Sequence, residues 1–359
     1  MIYILCDNTN LDNGWGTHTN QFIKQIKKKK ITIICRKRNP KLKFKQIAIL
    51  SNPIEYFKNP LLIFKDAYKI NKIFKKNESN SCLHVNVEPY ITLVPFLKKK
   101  FKKIIFTFHG SYFFNLSYGK LKFFFNLGLK SCTNIVFVSN YTKRKILPFL
   151  KNNKKTKKTV IKNGIDVSKF YIKKRINKKI KILCLSAIKP RKGQLNVIKA
   201  MKIIKDKKVD FDIIFAGEIQ DRSYFAQIIK KVKSYKLEDF CKFKNYVSEK
   251  NKKKLFLDSN LFILLSEDIG NSFEGFGLVY LEALSYGTPV IISKKTGASD
   301  LKVNKNNGLL VHPKQYKLIA KFIFNLRKKN FYNISKQSIK LCKENVWSKR
   351  SKQINQLYD

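Results

Sequence analysis

The chain of 359 residues is 44% hydrophobic and 13% aromatic, which excludes a disordered polymer and leaves room for two ordinary domains with their own cores. No unbroken apolar run reaches the roughly 18 to 20 residues of a membrane-spanning helix, and residues 1–6 are too short and uncharged for a signal peptide, so a cytoplasmic protein is expected. The formal charge of +53 draws such a chain to anionic surfaces, but only 8 of its 76 basic residues are arginine and no aromatic-interleaved basic motif occurs, which excludes dedicated nucleic-acid binding.

Strand-like runs at 1–6, 31–35, 46–50, 83–87, 104–109 and 135–138 alternate with helix-like runs that include 19–28, 61–75 and 141–149. Such alternation predicts parallel sheets covered by helices. Between the first strand and the first helix lies Asn13-Gly14-Trp15-Gly16-Thr17-His18, a glycine loop where α/β domains take ligands, or a plain tight turn. The run from Asp7 to Asp12 has the flavour of a calcium loop, but Asn13 stands where that loop needs glycine. His109 ends a strand, where a histidine is ordinarily a satisfied structural residue, and His84 reads as structural too. Asn163-Gly164 is a turn by backbone chemistry, and the lysine-rich stretch 171–179 reads as a linker.

The second half opens with a strand at 180–185 and the loop 186–193. From Gln194 a helix follows, with Leu195, Val197, Ile198, Met201 and Ile204 on one face. Lys192-Gly193 at that turn is well placed to meet a diphosphate, or is one more lysine in a lysine-rich chain. A strand at 211–215, a strand at 242–247 and a helix at 250–257 come next. Asp210-Phe211-Asp212 spells a metal-binding D-x-D but opens a strand, and no metal is expected. The seven scattered cysteines lack metal or disulfide spacing and predict buried, reduced thiols.

The most distinctive stretch is 266–290. A strand at 261–265 leads into a loop with Glu274-Gly275-Phe276-Gly277, a helix at 278–286 and a strand at 289–293. Strand, glycine-rich loop and helix start present backbone N–H groups and a positive helix end to an anion. Glu274 in the loop and Glu282 on the helix would repel phosphate alone, but carboxylates accept hydrogen bonds from hydroxyls strongly. A ligand with both groups is a nucleotide sugar. The plain alternative is a solvated loop acid and a helix-surface glutamate.

Glu274, seven residues and Glu282, with Ser266, Gly275, Phe276, Gly277, Ala283, Gly287, Pro289 and Val290 in step, closely resemble the E-x7-E signature of the family 4 retaining glycosyltransferases. The resemblance implies the B-type glycosyltransferase fold, two Rossmann-like domains facing across a cleft. It implies an acceptor domain at 1–170, a nucleotide-sugar domain at 171–340 and a C-terminal helix at 341–359, with Trp347 and Tyr358, crossing back. Glu282 would hold the ribose hydroxyls and Glu274 the donor sugar, with His109 reaching that sugar. Lys192 and the backbone at Gly275, Phe276, Gly277 and Leu278 would meet the diphosphate, with Gly14 and Gly16 approaching it from the first domain. Ala187 stands where the family carries an arginine, for which Lys189 or Arg191 would compensate, and Asp300 replaces its usual glutamate.

The implied reaction moves a sugar from a nucleoside diphosphate donor to a sugar or lipid-linked acceptor with retained configuration, in cell-surface polysaccharide or glycolipid synthesis. It uses no cofactor, no metal and no protein base. Lysine accompanied by abundant Asn, Ile and Phe bears the mark of an A- and T-rich genome, and attraction to the inner face of an anionic membrane would be its consequence. The rivals are a nucleotide-sugar epimerase on the same fold and a basic surface-binding protein that has lost its chemistry.

Overall fold

The structure, a computed structural model, describes all residues except 12, 28, 75–79, 99–100, 151–154, 174–178 and 327–329. The chain divides into two units, Met1–Asn163 with Trp347–Asp359, and Gly164–Val346.

In the first unit, apolar runs form β1 (Ile2–Leu5), β2 (Ile31–Cys35), β3 (Lys45–Ala48), β4 (Cys82–Val85), β5 (Lys103–Phe108), β6 (Asn134–Phe137) and β7 (Lys157–Val160). All pair in parallel in the order β3-β2-β1-β4-β5-β6-β7. β1, β2, β4 and β6 are buried along their whole length, which is why they read as continuous apolar runs rather than alternating ones. The edge strands β3 and β7 begin with lysine and are partly exposed, as unpaired edges usually are. The helices are α1 (Gly14–Ile23), α2 (Leu61–Ile73), α3 (Tyr112–Tyr118), α4 (Lys122–Lys130) and α5 (Asn140–Ile146). Strand order reverses between β1 and β4, so the loops after these two strands diverge and open the crevice where such sheets take ligands.

The glycine stretch 13–18 is a helix start, not a loop. Asn13 caps α1, its side chain accepting from Gly16 N at 2.8 Å. The helix therefore begins five residues before the expected position and closes at Ile23. The expected ends of the first two helices, Lys28 and Lys75, lie outside the described residues.

In the second unit, β8 (Ile180–Leu185), β9 (Phe211–Ala216), β10 (Cys241–Lys244), β11 (Leu261–Leu264), β12 (Val290–Ser293) and β13 (Gly308–Val311) lie in the order β10-β9-β8-β11-β12-β13. These pairs are parallel as well. The reversal here falls between β8 and β11. The covering helices are α6 (Gln194–Asp206), α7 (Arg222–Ser234), α8 (Glu249–Asp258), α9 (Val279–Ser285), α10 (Tyr316–Leu326) and α11 (Phe331–Glu344).

The division falls inside the Asn163-Gly164 turn rather than at 170. Ile165 bridges Val346 in parallel and donates its N–H to Asn345 O at 3.1 Å, which ties 341–346 to the second unit. Cys342 Sγ on α11 likewise reaches Leu281 O. Only Trp347 onward, with α12 (Ser351–Gln356), belongs to the first unit. There Trp347 Nε1 donates to Gln21 Oε1 at 2.9 Å and Tyr358 Oη meets His84 Nδ1 at 2.6 Å.

The expected linker is anchored at its start. Tyr171 stacks on Tyr286 with ring centroids 5.3 Å apart. Lys173 Nζ donates to Phe256 O, Ser259 O and Thr288 Oγ1. Burial holds this amine down at about 7, against the upward pull of Asp258. The remainder, 174–178, lies outside the described residues. All seven cysteines are free and buried. Among the described residues no helix is long and apolar enough to cross a membrane.

Candidate functional site

Both loops at the β8/β11 reversal converge on Gly193. Its φ of +69° is a left-handed conformation, and a Cβ there would stand 1.9 Å from Leu265 O, so glycine alone fits between the two strand ends. The contact is closed further by Glu267 N, which donates to Arg191 O at 3.0 Å. Gly193 is also the first residue ahead of α6, a helix of 13 residues with no side-chain cap. Beside it, Gln194 Oε1 and Ser266 Oγ are buried with no hydrogen-bond partner among the described residues.

This convergence carries Arg191 and Lys192 onto Glu274. Arg191 Nη1 lies 2.5 Å from Glu274 Oε2, and Lys192 Nζ donates to the same oxygen. All three side chains are largely buried. Burial pushes the Glu274 carboxyl up, but Lys192 and Arg191 outweigh it and hold the group down at about 2. Lys192 is itself lowered, by burial first, with Glu274 opposing and Arg191 adding to the fall. Two cations share one carboxylate, so the pocket keeps a net positive charge that favours a further anion. Lys189 faces elsewhere: its Nζ donates to Gln220 Oε1 at 2.8 Å, and burial with the two neighbouring cations lowers it to about 8. Ala187 and the buried Gln194 side chain lie together, Nε2 donating to Ala187 O at 3.0 Å.

Glu274 is fixed from behind by its own backbone. It bridges Thr296 in parallel and its carbonyl accepts from Gly297 N at 3.0 Å. Gly275 and Phe276 are buried, Phe276 O accepting from Ala298 N, while Gly277 and Leu278 are half-buried ahead of α9. That helix has only seven residues, two fewer than its apolar run predicts. Glu282 rides on it and is half-buried. Its Oε1 meets Lys252 Nζ of α8 at 2.6 Å, and Lys252 lies 3.6 Å from Glu249 as well. Burial lowers Lys252, yet Glu282 and Glu249 together leave it raised. Glu274 thus holds two cations and Glu282 one, in each case on a single oxygen among the described residues. Asp300 ends the 3₁₀ turn Gly297–Asp300, half-buried.

In the first unit the reversal between β1 and β4 gathers a different set. Glu88, fully buried, accepts from His109 N at 2.8 Å, Gly110 N at 3.0 Å and Trp15 Nε1 at 3.1 Å. His109 Nε2 faces Asn86 O at 3.0 Å and must donate to it, which leaves Nδ1 as the ring's acceptor. Burial lowers His109, with Glu88 opposing, and the buried His18 ring touches it edge-on at 4.5 Å. Gly16 is enclosed, since a Cβ there would meet Asn10 O at 2.2 Å, while a Cβ on Gly14 would meet nothing within 4 Å. Sequence reasoning missed Glu88. Its signal was an acid set inside the apolar run from Val85 to Phe96.

His84 is held at both ring nitrogens, by Tyr358 Oη and by Thr107 Oγ1 at 2.8 Å, in a structural role as expected. Asp210 and Asp212 flank the start of β9 and pair loosely with Lys179, at 3.5 and 3.7 Å. No group of three His, Cys, Asp or Glu side chains that could hold a metal occurs among the described residues.

Two family models match the chain, "Glycosyltransferase Family 4" over residues 12–169 and "Glycosyl transferases group 1" over residues 168–340. Among curated relatives, two uncharacterized glycosyltransferases of Methanocaldococcus jannaschii are similar. MJ1607 is 26% identical over 60% of this chain and 60% of its own length, and MJ1178 is 24% identical over 83% and 80%. Among solved structures, sucrose-phosphate synthase of Thermosynechococcus elongatus superposes with a TM-score of 0.78 at 16% identity, over 99% of this chain and 98% of that one. Anabaena HepE in complex with UDP-glucose does so with a TM-score of 0.74 at 16% identity, over 99% and 97%. The fold is therefore the B-type glycosyltransferase fold of two Rossmann-like units, and with both halves matched the chain belongs to the group 1, family 4 glycosyltransferases.

Proposed function

We propose that the chain moves a sugar from a nucleoside diphosphate sugar to an acceptor hydroxyl with retention of anomeric configuration. The observation that carries this reading is the buried pair of cations on one carboxylate at the β8/β11 reversal. A diphosphate placed at Gly193 meets Lys192, Arg191 and the uncapped start of α6. These are preorganised donors aimed where charge grows as the leaving group departs. The bond between the anomeric carbon and the diphosphate oxygen breaks as the bond to the acceptor oxygen forms on the same face. The acceptor proton passes to the leaving phosphate oxygen, so no protein base is required.

Glu274 Oε1 accepts from a hydroxyl of the donor sugar, and Glu282, steadied by Lys252, accepts from the ribose. The backbone at Gly275, Phe276, Gly277 and Leu278 lines the diphosphate. His109 we assign to the sugar through Nδ1, and Gly14 and Gly16 to the approach of ligand at the start of α1. The acceptor is a sugar or lipid-linked saccharide, as in polysaccharide or glycolipid assembly. No metal or cofactor enters.

The test is a donor screen reading nucleoside diphosphate release, begun with UDP-glucose because Anabaena HepE, of the same fold, binds it. Saccharide and lipid-linked acceptors are included, and the product anomer is read by NMR. Release that depends on acceptor and a product of unchanged anomeric configuration are expected. Inversion would remove the retaining assignment, and isomerised donor without acceptor would replace transfer by epimerisation.

A further inference from the structure

We propose that Glu88 is a positioning residue for sugar transfer: its one buried carboxylate, braced against the start of α1, holds His109 in the orientation that offers Nδ1 to the donor sugar. This rests on the reading above, in which His109 meets that sugar. β5 closes at Phe108, so the N–H groups of His109 and Gly110 lie beyond the pairing of the sheet and need another acceptor. Glu88 Oε1 takes both, at 2.8 and 3.0 Å. Its Oε2 takes the indole N–H of Trp15, in the first turn of α1, at 3.1 Å. Three stretches far apart in the chain, at 15, 88 and 109–110, thus end on one side chain that is fully buried.

All three donors are neutral N–H groups, and burying a charge costs more than burying an amide. What a glutamate offers here and a glutamine cannot is acceptance at both oxygens, since an amide would turn its NH2 group toward one set of donors. The clasp sits where the imidazole is held from its other sides as well. Asn86 O, two residues before Glu88, lies 3.0 Å from His109 Nε2, and Asn86 Nδ2 donates to Thr19 Oγ1 of α1 at 2.8 Å. The His18 ring, also on α1, stands edge-on to the same imidazole with centroids 4.5 Å apart. Trp15 in turn packs on Tyr112 of α3 with centroids 4.9 Å apart, which anchors the brace. His109 keeps part of its surface open, whereas Glu88, Asn86 and His18 are enclosed. A ring fixed by its backbone, by Nε2 and by a neighbouring edge presents Nδ1 in one orientation, with no ordering left to do when ligand arrives.

A double-mutant cycle in the full chain separates positioning from general support. With the donor found in the screen, Glu88→Gln should lower kcat by roughly tenfold to a hundredfold, the loss that a misplaced contact brings, and leave donor KM little changed. In a His109→Ala background the same substitution should cost less than about twofold more, because no ring remains to be placed. A full additional loss in that background would make Glu88 a structural residue only and overturn the proposal. So would an unimpaired His109→Ala, which would also remove the histidine from the site. A second readout needs no activity. The chain has four histidines, few enough for their isotope-labelled ring nitrogens to be assigned by substitution in NMR spectra. At mildly alkaline pH, His109 should show a single tautomer with its proton on Nε2, and Glu88→Gln should show averaging between the two tautomers. An unchanged His109 spectrum in Glu88→Gln would overturn the proposal even where kcat falls. If no donor is transferred at all, the proposed function fails and the spectrum alone decides the role of Glu88. Should Glu88→Gln not fold, Trp15→Phe, which keeps the carboxylate and removes its third donor, takes its place in both measurements, with changes in the same direction expected.

Discussion

Glu274 Oε2 takes both Arg191 and Lys192, whereas the resemblance by itself leans on Lys192 at the diphosphate, with Lys189 or Arg191 to compensate for Ala187. We propose that Arg191, which shares that carboxylate, supplies part of what the arginine missing at Ala187 would have supplied. Removing one preorganised contact at a reacting centre costs on the order of 10²–10³ in kcat. Lys192→Ala is expected to fall in that range, with Arg191→Ala also strongly impaired. Lys189→Ala should stay near wild type, because its amine is spent on Gln220. Steady-state kcat for the three, with the donor from the screen, checks this. An inactive Lys189→Ala beside an active Lys192→Ala would move the diphosphate to another part of the loop.

At the scale of elements, α1 shows two glycines of one motif in opposite positions. Gly16 is enclosed, since a Cβ there would collide with Asn10 O and Asn8 Oδ1, while Gly14 is open. Alanine at Gly14 should therefore stabilise the helix by up to about 1 kcal/mol through propensity alone. Alanine at Gly16 should destabilise, since the loop that caps α1 must move. If ligand approaches over Gly14 as assigned, Gly14→Ala will raise the melting temperature and still lower activity. Thermal melts and turnover measured on both variants decide it; a more stable and fully active Gly14→Ala would remove Gly14 from the site.

At the scale of the molecule, the two units should respond differently to acid. His18, His84 and His109 are buried in the first unit, and all are pushed below their ordinary value, by burial first, His84 to about 3. A histidine lowered on folding is protonated first in the unfolded chain. Stability is therefore full above about 6.5 and falls as pH drops, by roughly 1.4 kcal/mol per pH unit for each group still neutral. Glu274, in the second unit, is held near 2 against an ordinary 4.5, so its contribution is full above 4.5 and is lost only between there and 2. Hydrogen exchange read by mass spectrometry between pH 6.5 and 5 should show protection falling in peptides of β1, β4, β5 and α1 while β8 and β11 hold. Parallel loss in both units would contradict this.

Much of this architecture is legible in the linear chain. Apolar runs of four to six residues alternating with helical periodicity, as at Ile31–Cys35 and Gln194–Asp206, dictate parallel sheets because both faces of each strand must be buried. The glycines at 275 and 277 and the apolar run from Leu278 place Glu274 in a loop and Glu282 on a helix by local pattern. Local pattern does not reveal the partners. Arg191 and Lys192 meet Glu274 across more than 80 positions only because β11 returns to pair with β8, and Lys252 meets Glu282 across 30 because α8 and α9 flank β11. The start of α1 was hidden because two glycines read as a loop until Asn13 is seen to cap them. Glu88 was hidden because an acid in an apolar run acquires its three donors from Trp15, His109 and Gly110, which only the strand order brings together. Period and turn chemistry are properties of neighbours along the chain, whereas the charge balance of a buried site is decided by which strand ends the sheet sets side by side.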